Sequence, residues 1–344
     1  MKKILFIGIL ISILSTGCSG FNNTLNAQAA ESTEITGKSA QKFAAVITES
    51  VLKTRLYMIA SDEFEGRATG EPGQKMAAEY LKNFYIEKNI ASPLGENNYF
   101  QTISKEHLYR NIKPSENVVA FIEGSEKPDE IVVISAHYDH LGIDADGEIY
   151  NGADDDGSGT VAVMSIAEAF QKAVEEGNGP KRSILFLHVT GEEKGLLGSK
   201  YYVNYPIFPL ENTVADLNID MIGRTDDAHQ NNPNYIYLIG SDKLSTELHN
   251  LSEEMNDKFT KLNLDYKYDL DSDPNRFYYR SDHYSFAKNN IPVIFYFNGT
   301  HENYHRISDT PDKINYELLA KRAQLVFYTA WEIANRENRI KVDK

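Results

Sequence analysis

The sequence predicts a single α/β domain, a mixed and mostly parallel central sheet with helices on both faces. Three observations lead there. Short apolar segments alternate with segments of helical period along most of the chain. The strand segments are apolar throughout rather than at every second residue, the pattern of a sheet covered on both sides. At 344 residues, 41% hydrophobic and 25% charged, the chain has the length and composition of a large globular core.

Each element follows from local pattern. Apolar residues recur at helical spacing over residues 43–59, at Phe43, Val46, Ile47, Leu52, Leu56 and Ile59. A second helix starts at Pro72, a residue suited to a first turn, and continues through Met76, Ala77, Tyr80, Leu81 and Phe84. Residues 117–122 and 131–135 read as strands, 160–173 as a helix, 183–187 as a strand and 196–202 as a short helix. Further strands are expected over 214–219, 235–239 and 292–297, and helices over 243–259 and 316–334. Polar, asparagine-rich stretches at 225–234 and 265–275 read as surface loops. The domain is expected to span residues 41–344.

The N-terminus reads as a leader. Lys2 and Lys3 precede an apolar stretch too short to span a bilayer. Leu14-Ser-Thr-Gly-Cys18 resembles the bacterial lipobox, so residues 1–17 are expected to be removed and Cys18 to carry lipid. An alternative cleavage site stands at Ala27-Gln-Ala29. Either site exports the protein, toward the periplasm or cell surface. Residues 18–40 read as a flexible tether. Cys18 is the only cysteine, so no intrachain disulfide can form. A net charge of −15 argues against nucleic acid and anionic membrane surfaces as partners. Lipid on Cys18 is the one membrane attachment expected. Oligomeric state leaves no trace in the sequence.

Five residues of metal-ligand type stand at the ends of apolar runs: His137, Asp154, Glu193, Asp220 and His305. In open α/β sheets such positions converge beyond the carboxyl ends of the strands. Two imidazoles and three carboxylates suit a pair of zinc ions, although cobalt or manganese fits the same donors. Three ligand carboxylates, two divalent cations and a bridging hydroxide come close to neutral. Glu192, beside a ligand but free, suits a general base. Asp139, two residues after His137, is placed to accept the imidazole's second N–H through its carboxylate.

In order, His137-Tyr-Asp-His, Asn151-Gly-Ala-Asp-Asp-Asp-Gly-Ser-Gly, Thr190-Gly-Glu-Glu-Lys-Gly-Leu-Leu-Gly-Ser, Asn218-Ile-Asp-Met-Ile-Gly and Tyr304-His305 resemble the co-catalytic dizinc aminopeptidases. These are the aminopeptidase S and aminopeptidase Y type metallopeptidases, relatives of glutamate carboxypeptidases and glutaminyl cyclases. Phe64-Glu-Gly-Arg67 and Gly70-Glu-Pro-Gly73 also look like that family's N-terminal region. The resemblance implies a zinc-exopeptidase-like fold and hydrolysis of the N-terminal bond of peptides by a metal-bridging hydroxide. It implies His137 and Asp220 on one zinc, Glu193 and His305 on the other, and Asp154 between them. Glu192 matches the family's general base, and Tyr304 the tyrosine that some members offer to the oxyanion. A cis peptide between Asp154 and Asp155 is implied as well. Residues 90–117 are too few for the inserted protease-associated domain that some members carry.

Two relatives' activities stay open. A carboxypeptidase would need a cation for the substrate's terminal carboxylate, for which Arg224, Arg276 and Arg280 are candidates. A glutaminyl cyclase would work with one zinc. Of the remaining histidines, His188 reads as a hydrogen-bonded core residue, and His107, His229 and His249 as surface residues. Nothing in the sequence marks His140 or His283 as ligands. There is no Gly-x-Ser-x-Gly or phosphate-loop motif.

Overall fold

The computed structural model describes residues 39–109 and 111–344. The expected leader, Cys18 and nearly all of the tether lie outside the described residues. Residues up to Gln41 group apart from the compact unit Lys42–Lys344. Among the described residues no helix is long and apolar enough to cross a membrane.

The compact unit begins with α1 (Glu49–Ile59), where Thr48 Oγ1 accepts from Val51 N at 3.3 Å. That cap interrupts the single helix expected over 43–59. Residues 45–48 leave helical geometry, and Thr48 restarts it. Then follow α2 (Pro72–Glu87), β1 (Phe100–Ile103), β2 (Ser115–Ile122), β3 (Lys127–His137) and a small hairpin, β4 (Gly142–Ile143) and β5 (Ile149–Tyr150). Next come α3 (Gly159–Glu175), β6 (Arg182–Val189), α4 (Leu197–Asn204), β7 (Thr213–Ile219) and β8 (Tyr235–Ile239). The chain closes with α5 (Thr246–Met255), β9 (Asn263–Asp265), α6 (His283–Ala287), β10 (Val293–Phe297) and α7 (Tyr316–Asn335).

Eight strands form one sheet in the order β1-β2-β6-β3-β7-β10-β8-β9. The central β6, β3, β7 and β10 are mutually parallel, while β2 runs antiparallel to β6 and β8 to β10. β6, β7 and β10 are buried along their whole length, as their apolar runs predict. On one face Val133, Leu185 and Leu187 pack with Tyr202 of α4 and Phe286 of α6. On the other, Phe186 meets Phe170 of α3 at 6.4 Å, and Phe170 meets Phe327 of α7 at 4.9 Å. Each such side chain contributes about 1.5–3 kcal/mol by leaving water.

The connections place the site. β3 leads through α3 to β6 on one side, and β6 leads through α4 to β7 on the other side of β3. That reversal opens a crevice at the carboxyl end of β3. His137, the turn after β6 and Asp220 all emerge there. Fully buried Arg322 of α7 braces the exit of β7: its guanidinium donates to the carbonyl of Ile222 at 2.8 Å and to that of Tyr235 at 2.9 Å.

Candidate active site

At the crevice, His137 Nε2 lies 3.3 Å from Asp155 Oδ1 and 3.6 Å from Asp220 Oδ1. The loop after β10 brings His305 Nε2 to 3.0 Å from Asp155 Oδ2 and 3.3 Å from Glu193 Oε2. Two clusters of donor atoms therefore meet at one carboxylate, that of Asp155. A tetrahedral zinc with ligand bonds of about 2.0–2.2 Å spaces its ligand atoms roughly 3.3–3.6 Å apart, and three of these four distances fall in that range, so the donor types and most of their spacings suit zinc.

The shared residue differs by one from the sequence expectation. The family resemblance puts Asp154 between the two ions, but its carboxylate faces elsewhere: Oδ1 accepts from Gly223 N at 2.7 Å, and Oδ2 lies 3.0 Å from His301 Nε2. Neighbouring residues of this turn project in different directions, and the three aspartates divide accordingly. Asp154 ties the turn to the exit of β7 and to the loop after β10. Asp155 faces the crevice. Asp156 Oδ1 accepts from Gly159 N at 2.8 Å and Met221 N at 3.1 Å, joining the start of α3 to the exit of β7. Gly159 leaves room for that carboxylate, because a Cβ there would lie 2.4 Å from Asp156 Oδ1. Asp309 accepts from the backbone N–H of both Asp154 and Asp155, at 3.0 and 3.2 Å. The cis peptide joins Asp155 to Asp156, not Asp154 to Asp155.

Asp139 also departs from expectation. Its carboxylate stands 3.8 Å from His137 Nδ1, while its backbone carbonyl lies at 3.1 Å and takes the imidazole N–H. The carboxylate instead accepts from Thr69 Oγ1 at 2.7 Å and from the backbone N–H of Glu192 at 3.1 Å. Asp139 is thus a positioning residue for the Glu192 turn. Glu192 lines the crevice beside Asp155 and Asp220 without joining either donor cluster.

His140 carries no mark in the sequence, yet it is fully buried with Nδ1 2.9 Å from Glu193 Oε1 and 3.8 Å from Asp155 Oδ2. The short contact to Glu193 is misaligned for a hydrogen bond, so His140 Nδ1, Glu193 Oε1 and Asp155 Oδ2 are all buried without one. Such orphaned donor atoms converging on one point are what a cation would satisfy. His188 shares a hydrogen bond with Tyr85 OH at 2.7 Å in the core, as expected. His229, read as a surface residue, is instead buried: it stacks on Tyr235 at 3.5 Å and meets Asp226 Oδ1 at 2.8 Å.

The electrostatics follow from the packing. Burial alone would push His137 down, but Asp220 and Asp155 override it and hold the imidazole well above its ordinary range. Burial likewise opposes His305, and Asp155 and Glu193 raise it to about 10. Glu193 goes the other way: although burial and Asp155 push it up, His140 and His305 hold it down at about 2. The crevice is a well of negative potential that draws positive charge. Burial, reinforced by Asp220, Asp282 and Glu193 against His137, drives the Glu192 carboxyl well above the usual range. That is the direction a proton acceptor needs.

A small, partly open cavity of about 30 Å³ lies over the crevice. Its apolar wall includes Met221, Phe277, Phe295 and Phe297; the alternation of β10 puts the last two on one face. Tyr304 lines the cavity and stacks on His305 at 3.9 Å. Met221 and His305, each beside or within the donor set, hold left-handed φ values of 61° and 55°, strain of the kind found at functional sites.

Arg67 explains why the Phe64-Glu-Gly-Arg67 segment accompanies the site. Fully buried, it donates to the carbonyls of Tyr138 at 2.8 Å, Asn151 and Ile59 at 2.7 Å and Gly152 at 2.9 Å. It thereby joins the strand end carrying His137 to the turn carrying Asp155. Burial lowers its pKa to about 10 against the pull of Asp139 and Asp155, so it remains charged at neutral pH. Arg67→Met should destabilise the fold by at least about 3 kcal/mol, because four buried carbonyls lose their donor. Denaturant titration checks this; a midpoint within error of the parent would refute it.

The model of peptidase family M28 matches residues 117–330. Leucine aminopeptidase 2 of Trichophyton rubrum is 27% identical over 270 residues, covering 72% of this chain and 50% of that protein. The chain spans between 27% and 60% of the length of the first curated relatives it matches. Among solved structures, a zinc aminopeptidase from Bacillus subtilis superposes with a TM-score of 0.65 at 15% identity, covering 85% of this chain and 96% of that one. A glutaminyl cyclase from Bacteroides thetaiotaomicron, bound to N-acetylhistamine, gives 0.65 at 16% identity, covering 83% and 98%. These structural likenesses concern the fold.

Proposed function

We propose, from the premise that the chain belongs to peptidase family M28, that it is a dizinc aminopeptidase that removes the N-terminal residue of peptides. The observation that carries this reading is the paired donor set that shares Asp155, with Glu192 beside it and outside both clusters. His137, Asp155 and Asp220 would hold one ion; Asp155, Glu193 and His305 the other. We assign His305 rather than His140 to the second position. His305 Nε2 reaches both carboxylates within 3.3 Å, whereas His140 is 3.8 Å from Asp155. His140 stays beside Glu193 as a buried imidazole outside this ligand set.

Bound there, two zinc ions supply Lewis acidity and lower the pKa of water to about 7. The chain's own groups do the rest. Glu192 takes a proton from the attacking water and passes it to the departing amine. Asp139 keeps the Glu192 turn in place. Tyr304, which lines the cavity and stacks on His305, would donate its hydroxyl to the developing oxyanion. Glu192 and Asp220 form the acidic wall that holds the substrate's free amine. The apolar wall receives the first side chain. We further propose that the protein works outside the cytoplasm, anchored by lipid on Cys18.

Metal content measured together with turnover tests the reading. Two zinc ions per chain and release of the amine from leucyl anilides are expected, with activity lost on chelation and restored by zinc. One zinc with cyclisation of N-terminal glutamine would replace the reading with a cyclase. Release of C-terminal residues from amine-blocked peptides would replace it with a carboxypeptidase.

A further inference from the structure

We infer that Arg280 is a binding group for a carboxylate of the substrate. The inference rests on the aminopeptidase reading and narrows its substrate class. The lining of the cavity over the crevice carries charge of both signs: the carboxylates of Asp155, Glu192 and Asp220, and the guanidinium of Arg280. Among the described residues the guanidinium of Arg280 makes no hydrogen bond or ion pair; it lies over the ring of Phe277 at 4.9 Å. Arg280 is exposed at the rim of this cavity, so the guanidinium is open to an anionic ligand.

The nearby carboxylates are already committed. Asp271 pairs with Lys243 at 2.7 Å, and Asp273 accepts from Asn275 N and Phe277 N, each at 3.0 Å. Asp282 is wholly buried. Nor do the other two candidate arginines serve. Neither lines this cavity: Arg224 donates to Asn303 Oδ1 at 2.8 Å, with its other terminal nitrogen buried and unpartnered, and Arg276 lies over Tyr279 at 4.8 Å. Stacking on Phe277 holds the Arg280 fork in place, so little freedom is lost when it grips a planar anion. A ligand that carries both an amine and a carboxylate matches the acidic residues and Arg280 of this lining.

Two peptide sources offer that chemistry: the side chain of an N-terminal aspartate or glutamate, or the terminal carboxylate of a dipeptide. Four substrates separate them. Glutamyl and glutaminyl p-nitroanilide differ only at the side chain; Leu-Leu and Leu-Leu-amide differ only at the C-terminus. Each pair is compared by kcat/KM with the zinc-loaded full chain, in the parent, in Arg280→Met and in Arg280→Lys. A charge-assisted contact of this kind is worth about 10- to 100-fold. In at least one pair the carboxylate form should be favoured by about that factor in the parent. Arg280→Met should remove the preference, and Arg280→Lys should restore part of it. The ratio within each pair is internal to one preparation, so a general folding defect does not move it. Cleavage of the neutral substrates with flat ratios in both pairs, or a preference that survives Arg280→Met, overturns the inference alone. Failure to cleave any of the four overturns the aminopeptidase reading and the inference together.

Discussion

Glu192→Gln is expected to lower kcat/KM on a leucyl anilide by about 10²–10⁴, the usual range for losing a positioned general base. Geometry separates this carboxylate from its neighbour. Glu193 lies within 3.3 Å of His305, whereas Glu192 lines the cavity and belongs to neither donor cluster. The substituted amide keeps the size and shape of the carboxylate and loses the ability to take a proton. Zinc content and thermal midpoint should therefore remain those of the parent, while turnover collapses. Activity within about tenfold of the parent would remove the base role. Loss of zinc in this variant would mean that Glu192 is itself a ligand.

Asp155→Asn should have the largest effect on the metal itself. The amide has lost the charge that both clusters share, and metal affinity should fall by more than the roughly 10–100-fold typical of outer groups that merely support ligands. Asp154→Asn is the matched control. Its Oδ1 can still accept from Gly223 N, which lies 2.7 Å from the carboxylate of the parent. That variant should keep two zinc ions per chain and lose about 1–3 kcal/mol of stability through its altered contact with His301. Equilibrium dialysis with zinc, run on both variants with circular dichroism to verify folding, gives the answer. The opposite pattern, zinc lost with Asp154 and kept with Asp155, would reassign the centre.

These two aspartates also mark how far the sequence could be read. The order of the motifs and their place after β3, β6, β7 and β10 were legible, because fully apolar strands with helices between them dictate which ends converge. The choice among three consecutive aspartates was not. It depends on the backbone angles of one turn and on donors supplied from afar, Gly223 and Met221 by the exit of β7 and Gly159 by the start of α3. For the same reason Asp139 was correctly placed near His137 but given the wrong atom. Local spacing brings the residue close, and the N–H of Glu192, 53 positions away, claims its carboxylate. His140 carried no signal beyond adjacency to the motif. Arg67 did stand in a segment tied to the family resemblance, and only its four carbonyl partners reveal its task. Among the secondary elements, β1 and β9 went unforeseen because Phe-Gln-Thr-Ile and Asn-Leu-Asp are short and polar, as edge strands commonly are. His229 sits in an acidic, asparagine-rich stretch that reads as solvent-facing, yet packing on Tyr235 takes it inside.

The central claim is that one carboxylate, Asp155, holds two metal ions in this crevice. Anomalous diffraction at the zinc edge from crystals of the zinc-loaded protein tests it most directly. Two peaks about 3.5–4 Å apart are expected, flanking the Asp155 carboxylate, one beside His137 and Asp220 and the other beside Glu193 and His305. A single peak, or a pair centred on Asp154, would contradict it.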